Sequence, residues 1–324
     1  MKEDEIAALD SEWTAFTPAR QAAYAFARKL TYEPQGLCDA DIDSLRKHYT
    51  DLQILEMTLS MAQNNSTNRW KEGVAVPQSS YTSSRRGSDP NAKPEPPRKR
   101  IYLSPTSEAF KNRITTVAPF RADEKAEGTR RSTVCERPQL ESRAVVEKML
   151  DAARKRTPRL PLVDEAKARA LLPEDWPKAT LPQWVRLLAN FPVSGKSQIS
   201  RLRAADERGD LKPLLKAQVS WIIARQDRAW YATGESMRRL KALGLSDEEI
   251  YKLDGNWSSY TPTERAMFTV AKNLAASPIV LTDNDVAQAV KLAGPRDVVQ
   301  LITYVTNRAS FNRITEAAGL RLED

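Results

Sequence analysis

The chain has 324 residues, with 50 Lys and Arg against 42 Asp and Glu, a net charge of +8 and 41% hydrophobic residues. That is enough for one large or two ordinary domains, and no apolar run approaches the about 18 residues of a membrane span. Two cysteines, Cys38 and Cys135, and one histidine, His48, exclude a disulfide scaffold, a C-x-x-C redox pair and a Cys- or His-rich metal site.

The charged start Met1-Lys2-Glu3-Asp4-Glu5 is no signal peptide, so a cytoplasmic location without membrane contact is expected. Thr17 and Pro18 open a helix whose apolar stripe is Ala22, Ala23, Phe26, Ala27 and Leu30, and Pro34 stops it. Asp39 restarts a short helix, and Asp51 is expected to cap a longer one through Leu52, Leu55 and Leu59. From Pro77 to Arg159 there are 19 Lys and Arg against 10 Asp and Glu, so this stretch carries +9 and the rest of the chain −1. Runs such as Ser79-Ser80-Tyr81-Thr82-Ser83-Ser84-Arg85-Arg86 bury too little to offset chain entropy, and 76–140 reads as a basic, Pro/Ser-rich disordered linker. It lacks the interleaved aromatic residues of a single-strand binding groove, so nucleic acid is not the expected partner. Leu214 to Leu243 then forms one amphipathic helix of seven to eight turns or two abutting helices.

Beyond Leu243 the chain repeats its own start. Residues 3–75 recur at 247–319: Glu5, Ile6, Leu9, Asp10 and Trp13 return as Glu249, Ile250, Leu253, Asp254 and Trp257. Thr17-Pro18, Leu30, Pro34, Asp39, Asp41 and Asn68-Arg69 return as Thr261-Pro262, Leu274, Pro278, Asp283, Asp285 and Asn312-Arg313. Thr282-Asp283 and Asp297 would start the last two helices, and with no alternating strand pattern the chain is expected to be all-α. The first copy lacks the 214–243 element before it, so 1–75 reads as a half-repeat and 141–324 as a nearly complete domain. A half-unit cannot bury both faces of its helices, so residues 1–65 are expected to dock on the C-terminal domain or on another subunit.

The order Ala224-Arg225-Gln226-Asp227-Arg228-Ala229-Trp230-Tyr231-Ala232-Thr233-Gly234-Glu235, Leu-Gly-Leu-Ser, Trp257, Thr261-Pro262-Thr263-Glu264-Arg265 and Phe311-Asn312-Arg313 resembles the alkyl hydroperoxidase D-like, or carboxymuconolactone decarboxylase, family. The resemblance implies an all-helical bundle, often oligomeric, and for many relatives a peroxiredoxin-type activity. There a C-x-x-C pair and a following histidine reduce hydroperoxides and are re-reduced by a dithiol partner. Such chemistry needs an ionised thiol one helical turn from its resolving partner, with a base to relay protons. On this sequence the thiol positions fall at Ala229 and Ala232, the histidine at Glu235 or Ser236, and an upstream acid at Ala217. The resemblance therefore implies a degenerate, homo-oligomeric scaffold or assembly module, a pseudoenzyme with no cofactor or metal. The alternative is an active hydroperoxide-reducing or decarboxylase-type enzyme using a non-standard site or a redox helix upstream of Met1.

Other constellations carry ordinary readings. Ser194-Gly195-Lys196-Ser197 lacks the first glycine of a phosphate-binding loop, since Asn190 stands there. His48 reads as a cation at a helix end, Cys38 as a buried or cap-adjacent residue, and Cys135 as a linker thiol without a resolving partner. Arg225, Asp227, Trp230, Tyr231 and Glu235 are the candidates for a small-ligand pocket, although Asp227 to Tyr231 and Tyr231 to Glu235 are also i, i+4 steps suited to structural pairing. Arg69 and Arg313 occupy matched places and are expected to bond helix-end carbonyls.

Overall fold

A computed structural model describes residues 9, 13–76, 139–277 and 279–323. The proposed linker, Cys135 and Pro278 lie outside the described residues, as does most of 1–12. Among the described residues the chain is all-α, with thirteen α-helices, two single-turn 3-10 segments and no strand. Among the described residues, 16–74 and 140–323 belong to one compact unit. No helix among the described residues is long and apolar enough to cross a membrane.

The first copy contributes α1 (Pro18–Tyr32), α2 (Asp39–Arg46) and α3 (Asp51–Gly73). After residue 139 come α4 (Arg143–Arg154), α5 (Glu165–Arg169), α6 (Gln183–Leu188), α7 (Ser194–Glu207), α8 (Pro213–Asp227), α9 (Trp230–Ala242) and α10 (Asp247–Tyr251). The second copy adds α11 (Pro262–Ala275), α12 (Asp283–Ala293) and α13 (Pro295–Ala317).

The helix starts show how the repeated sequence becomes repeated structure. Thr17 and Thr261 are extended, and their hydroxyls accept the Arg20 and Glu264 N–H groups, with proline at the first helical position each time. Asp41 and Asp285 accept the N–H groups of Cys38 and Thr282, and each is also reached from the preceding helix, by Lys29 at 2.7 Å and by Asn273 at 3.0 Å. Cys38 is the exposed N-cap of α2 rather than a buried residue. Trp13 and Trp257 both adopt left-handed backbone, with φ of 62° and 59°, and both indole N–H groups donate four residues back, to Leu9 O and Leu253 O.

The two long helices start differently from the sequence expectation. Thr50, not Asp51, caps α3, because its extended backbone lets the hydroxyl take the Gln53 N–H while Gln53 Oε1 accepts from Thr50 N–H. In the second copy Gly294, at φ 88°, turns the chain into Pro295, leaving Asp297 inside the first turn of α13. Both aspartates still complement the positive end of the helix dipole. His48 is exposed in the turn after α2, where its N–H donates to Leu45 O.

Helix α13 is the axis of the unit: from Ala309 to Ala317 every residue is buried, and α3 packs on it most extensively. Gly73 permits that approach, since a Cβ there would lie 2.8 Å from Ile302 Cγ2. The 214–243 element is two helices. Arg228 is left-handed at φ 51°, its N–H bonds to Arg225 O, and Ala229 N–H reaches back to Ala224 O, the double closure of a Schellman turn.

Candidate functional site

The break at Arg228 decides where the sequence candidates point. Arg225 is fully buried: Nε donates to Asp254 Oδ2 at 2.9 Å, Nη1 and Nη2 reach Glu141, and its guanidinium lies 6.0 Å from the Trp221 ring and 5.8 Å from that of Trp230. Asp254 also accepts from Trp221 Nε1, and Arg228 pairs with Glu141. All three Arg225 nitrogens are thus bonded within the fold, and the Trp230 ring packs near the guanidinium. Asp227 does not meet Tyr231, because they belong to different helices and the i, i+4 relation is lost across the turn. Its carboxylate instead takes Asn312 Nδ2 at 3.0 Å and Arg313 Nη1 at 3.3 Å.

The positions matching the thiol pair sit at the start of α9. Ala229 is its N-cap and Ala232 lies in its first turn, and both are fully buried, as is Ala217 on α8. One donor at this helix end is met by Glu316, whose Oε1 accepts from Tyr231 N–H at 3.2 Å while Arg156 holds both carboxylate oxygens from about 3 Å. Leu322 lies so close over Gly234 that a Cβ there would be 2.2 Å from Leu322 Cδ2.

Tyr231 and Glu235, by contrast, face α13 in a polar seam. The helices run antiparallel: Tyr231 meets the Phe311 ring at 6.2 Å, Glu235 lies 3.8 Å from Arg308, and Arg239 donates to Tyr304 Oη at 3.2 Å. Asp206 of α7 closes one end, accepting from Tyr304 Oη at 2.7 Å and Arg239 Nη1 at 2.9 Å, and Ser220 shares the Tyr304 hydroxyl. Glu323 closes the other, accepting from the Tyr231 hydroxyl at 3.2 Å and from Gln183 N–H.

Burial pushes the Glu235 carboxyl up, helped by Glu323 and Asp206 and opposed by Arg308 and Arg238. Tyr231 is pushed well up by burial, Glu235 and Glu323. Asp206 goes the other way: burial would raise it, but Arg308, Arg239 and Tyr304 hold it low. Sequence reasoning missed Arg308, Tyr304, Asp206 and Glu323. The available signal was Tyr304, Arg308 and Phe311 at i, i+4 and i+7 in an otherwise apolar helix.

Among the described residues no group of three or more His, Cys, Asp and Glu could hold a metal ion. The Ser194–Ser197 segment is the start of α7, with Gly195 pressed against the Leu188 carbonyl, not a phosphate loop after a strand.

No protein family matches the sequence, and no curated relative matches it. Among solved structures, a variant of the debrominase Bmp8 in complex with 2,3,4-tribromopyrrole aligns at 13% identity, covering 57% of this chain and 90% of that one, with a TM-score of 0.42. That likeness is too distant to carry an argument about fold or chemistry.

Proposed function

We propose that this chain is a non-catalytic relative of the alkyl hydroperoxidase D-like group, a scaffold that has kept the helical frame and lost thiol chemistry. The observation that supports it best is the start of α9: alanine stands at both thiol positions, both are buried, and the helix end there is taken by the Glu316–Arg156 pair. A peroxidatic centre needs a thiolate that a peroxide can reach. Cys38, the thiol among the described residues, caps α2 with its Sγ 3.3 Å from Asp41 and has no second sulfur beside it there. The role that remains is binding or assembly, including self-association and a cytoplasmic setting.

The test is hydroperoxide consumption by the full chain with a dithiol reductant, on wild type and on a C38S/C135S variant. No turnover above the reductant's own background is expected from either. Turnover by wild type that disappears in the double variant would return the chain to the peroxidases, and turnover that survives it would reveal a site without thiols. Self-association is read separately by sedimentation, where a strict monomer would remove the homo-oligomer part.

A further inference from the structure

Ser277 follows the end of α11 and is the point at which the two matched arginines meet. Its Oγ accepts from Arg69 Nη2 at 2.6 Å and from Arg313 Nη2 at 2.9 Å. Both arginine side chains are buried, whereas Ser277 is partly exposed. A hydroxyl has two acceptor positions and one hydrogen. Here guanidinium groups take both acceptor positions, so the O–H hydrogen points away from the arginines, and among the described residues no acceptor receives it.

The charge around that hydroxyl does not balance. The carboxylate that acts on Arg69 is Asp227, which Asn312 and Arg313 already hold, and burial keeps the Tyr32 phenol neutral. Arg313 Nε, in a fully buried side chain, makes no hydrogen bond. Two buried cations therefore share one anion and converge on a neutral oxygen. A phosphoryl group on that oxygen would supply what is missing, about −1.5 to −2 of charge and three acceptor oxygens.

The sequence points to the same residue. Pro278 follows Ser277, and a proline pushes the residue before it toward extended backbone; Ala276, one position earlier, is at φ −58° and ψ 152°. Ser or Thr before proline also occurs at Thr17, Ser104, Thr157 and Thr261. Thr17 and Thr261 spend their hydroxyls as helix caps, Ser104 lies outside the described residues, and no arginine bonds the Thr157 hydroxyl among the described residues.

We propose that Ser277 is a phosphorylation site for a protein kinase that selects proline after its target, and that Arg69 and Arg313 hold the product. The γ-phosphoryl group of ATP moves to Oγ: the Ser277 O–H bond breaks and its proton goes to the kinase's base, the Oγ–P bond forms, and the bond from Pγ to the departing ADP oxygen breaks. The phosphoryl oxygens then take the two guanidinium bonds that Oγ now accepts, tightening α3 and α13 on the end of α11. This goes beyond the scaffold reading and does not depend on it, since peroxide turnover would overturn that reading and leave Ser277 as it is.

The experiment has two arms, both on the full chain. Incubation with a proline-directed kinase and Mg-ATP should add phosphate that peptide mapping places on Ser277 and that is missing there in Ser277→Ala. A chain made with genetically encoded phosphoserine at position 277 should melt about 3 °C or more above the unmodified chain, and its phosphorus NMR signal should titrate below the usual second pKa of about 6. Arg69→Lys, which keeps the charge and loses the fork, should remove about half of that melting gain. The proposal is overturned if the kinase modifies a control peptide but leaves Ser277 bare, if phosphoserine lowers the melting temperature, if its titration is unshifted, or if a folded R69K keeps the whole gain. Should R69K fail to fold, the kinase mapping, the melting shift and the phosphorus titration still decide.

Discussion

Arg69 and Arg313 are equivalent in the repeat, yet each serves the other copy. Arg69 of α3 donates to Leu274 O and Ala276 O at 2.6 Å each, at the end of α11, and to Ser277 Oγ. Arg313 of α13 donates to Thr31 O at the end of α1, and also to Ser277 Oγ. Both are buried, and burial together with the Arg313 cation pushes Arg69 down to about 9, so it remains charged at neutral pH. Replacing Arg69 with Met strips two buried carbonyls of their donors, at about 1–3 kcal/mol each, partly offset by no longer burying a cation next to Arg313. A net loss of about 3 kcal/mol is expected. Arg313→Met should cost more, about 5 kcal/mol, because the buried Asp227 carboxylate would keep its Asn312 hydrogen bond but lose its cation. Adding Asp227→Asn to R313M should recover part of that loss by removing the stranded charge. Urea unfolding of the single and double variants gives the energies, and hydrogen exchange gives the location: R69M should loosen the end of α11, and R313M the end of α1. Loosening of the helix end in the substituted copy itself, or no relief of R313M by D227N, would refute the exchange of roles.

The raised Glu235 carboxyl means the folded chain holds that proton above the range where the unfolded chain releases it. Wild-type stability should therefore fall, relative to Glu235→Gln, as pH rises from the ordinary glutamate range through the raised value; parallel urea midpoints across that window would contradict this. Gly195→Ala puts a Cβ 1.9 Å from the Leu188 carbonyl oxygen, backbone that cannot simply turn aside, and should cost about 3 kcal/mol or more by thermal melting. Trp257→Phe keeps a ring near Phe268 but loses the 2.7 Å bond to Leu253 O, so a loss of about 1 kcal/mol is expected; an unchanged melt would show that bond to be idle.

How much of this could be read from the sequence depends on the range of the interaction. The helix starts at Thr17-Pro18 and Thr261-Pro262 are written in adjacent residues, because a hydroxyl that takes an N–H three positions on needs nothing from the rest of the fold. The sequence left open whether 214–243 was one helix or two abutting ones, and it did not place the break at Arg228, because a left-handed C-terminal residue is normally signalled by glycine and here an arginine holds the conformation. That Arg69 and Arg313 would serve helix-end carbonyls was legible from their matched positions. That they trade copies was not, since the bonds span about two hundred residues and more. The seam was hidden for the same reason: Tyr231 and Glu235 were visible on their own helix, but Arg308, Asp206 and Glu323 reach them only when α7, α13 and the chain end are brought together. A repeat reports what each copy does alone, and the seam depends on α7 and α9, which lie outside the repeated segments.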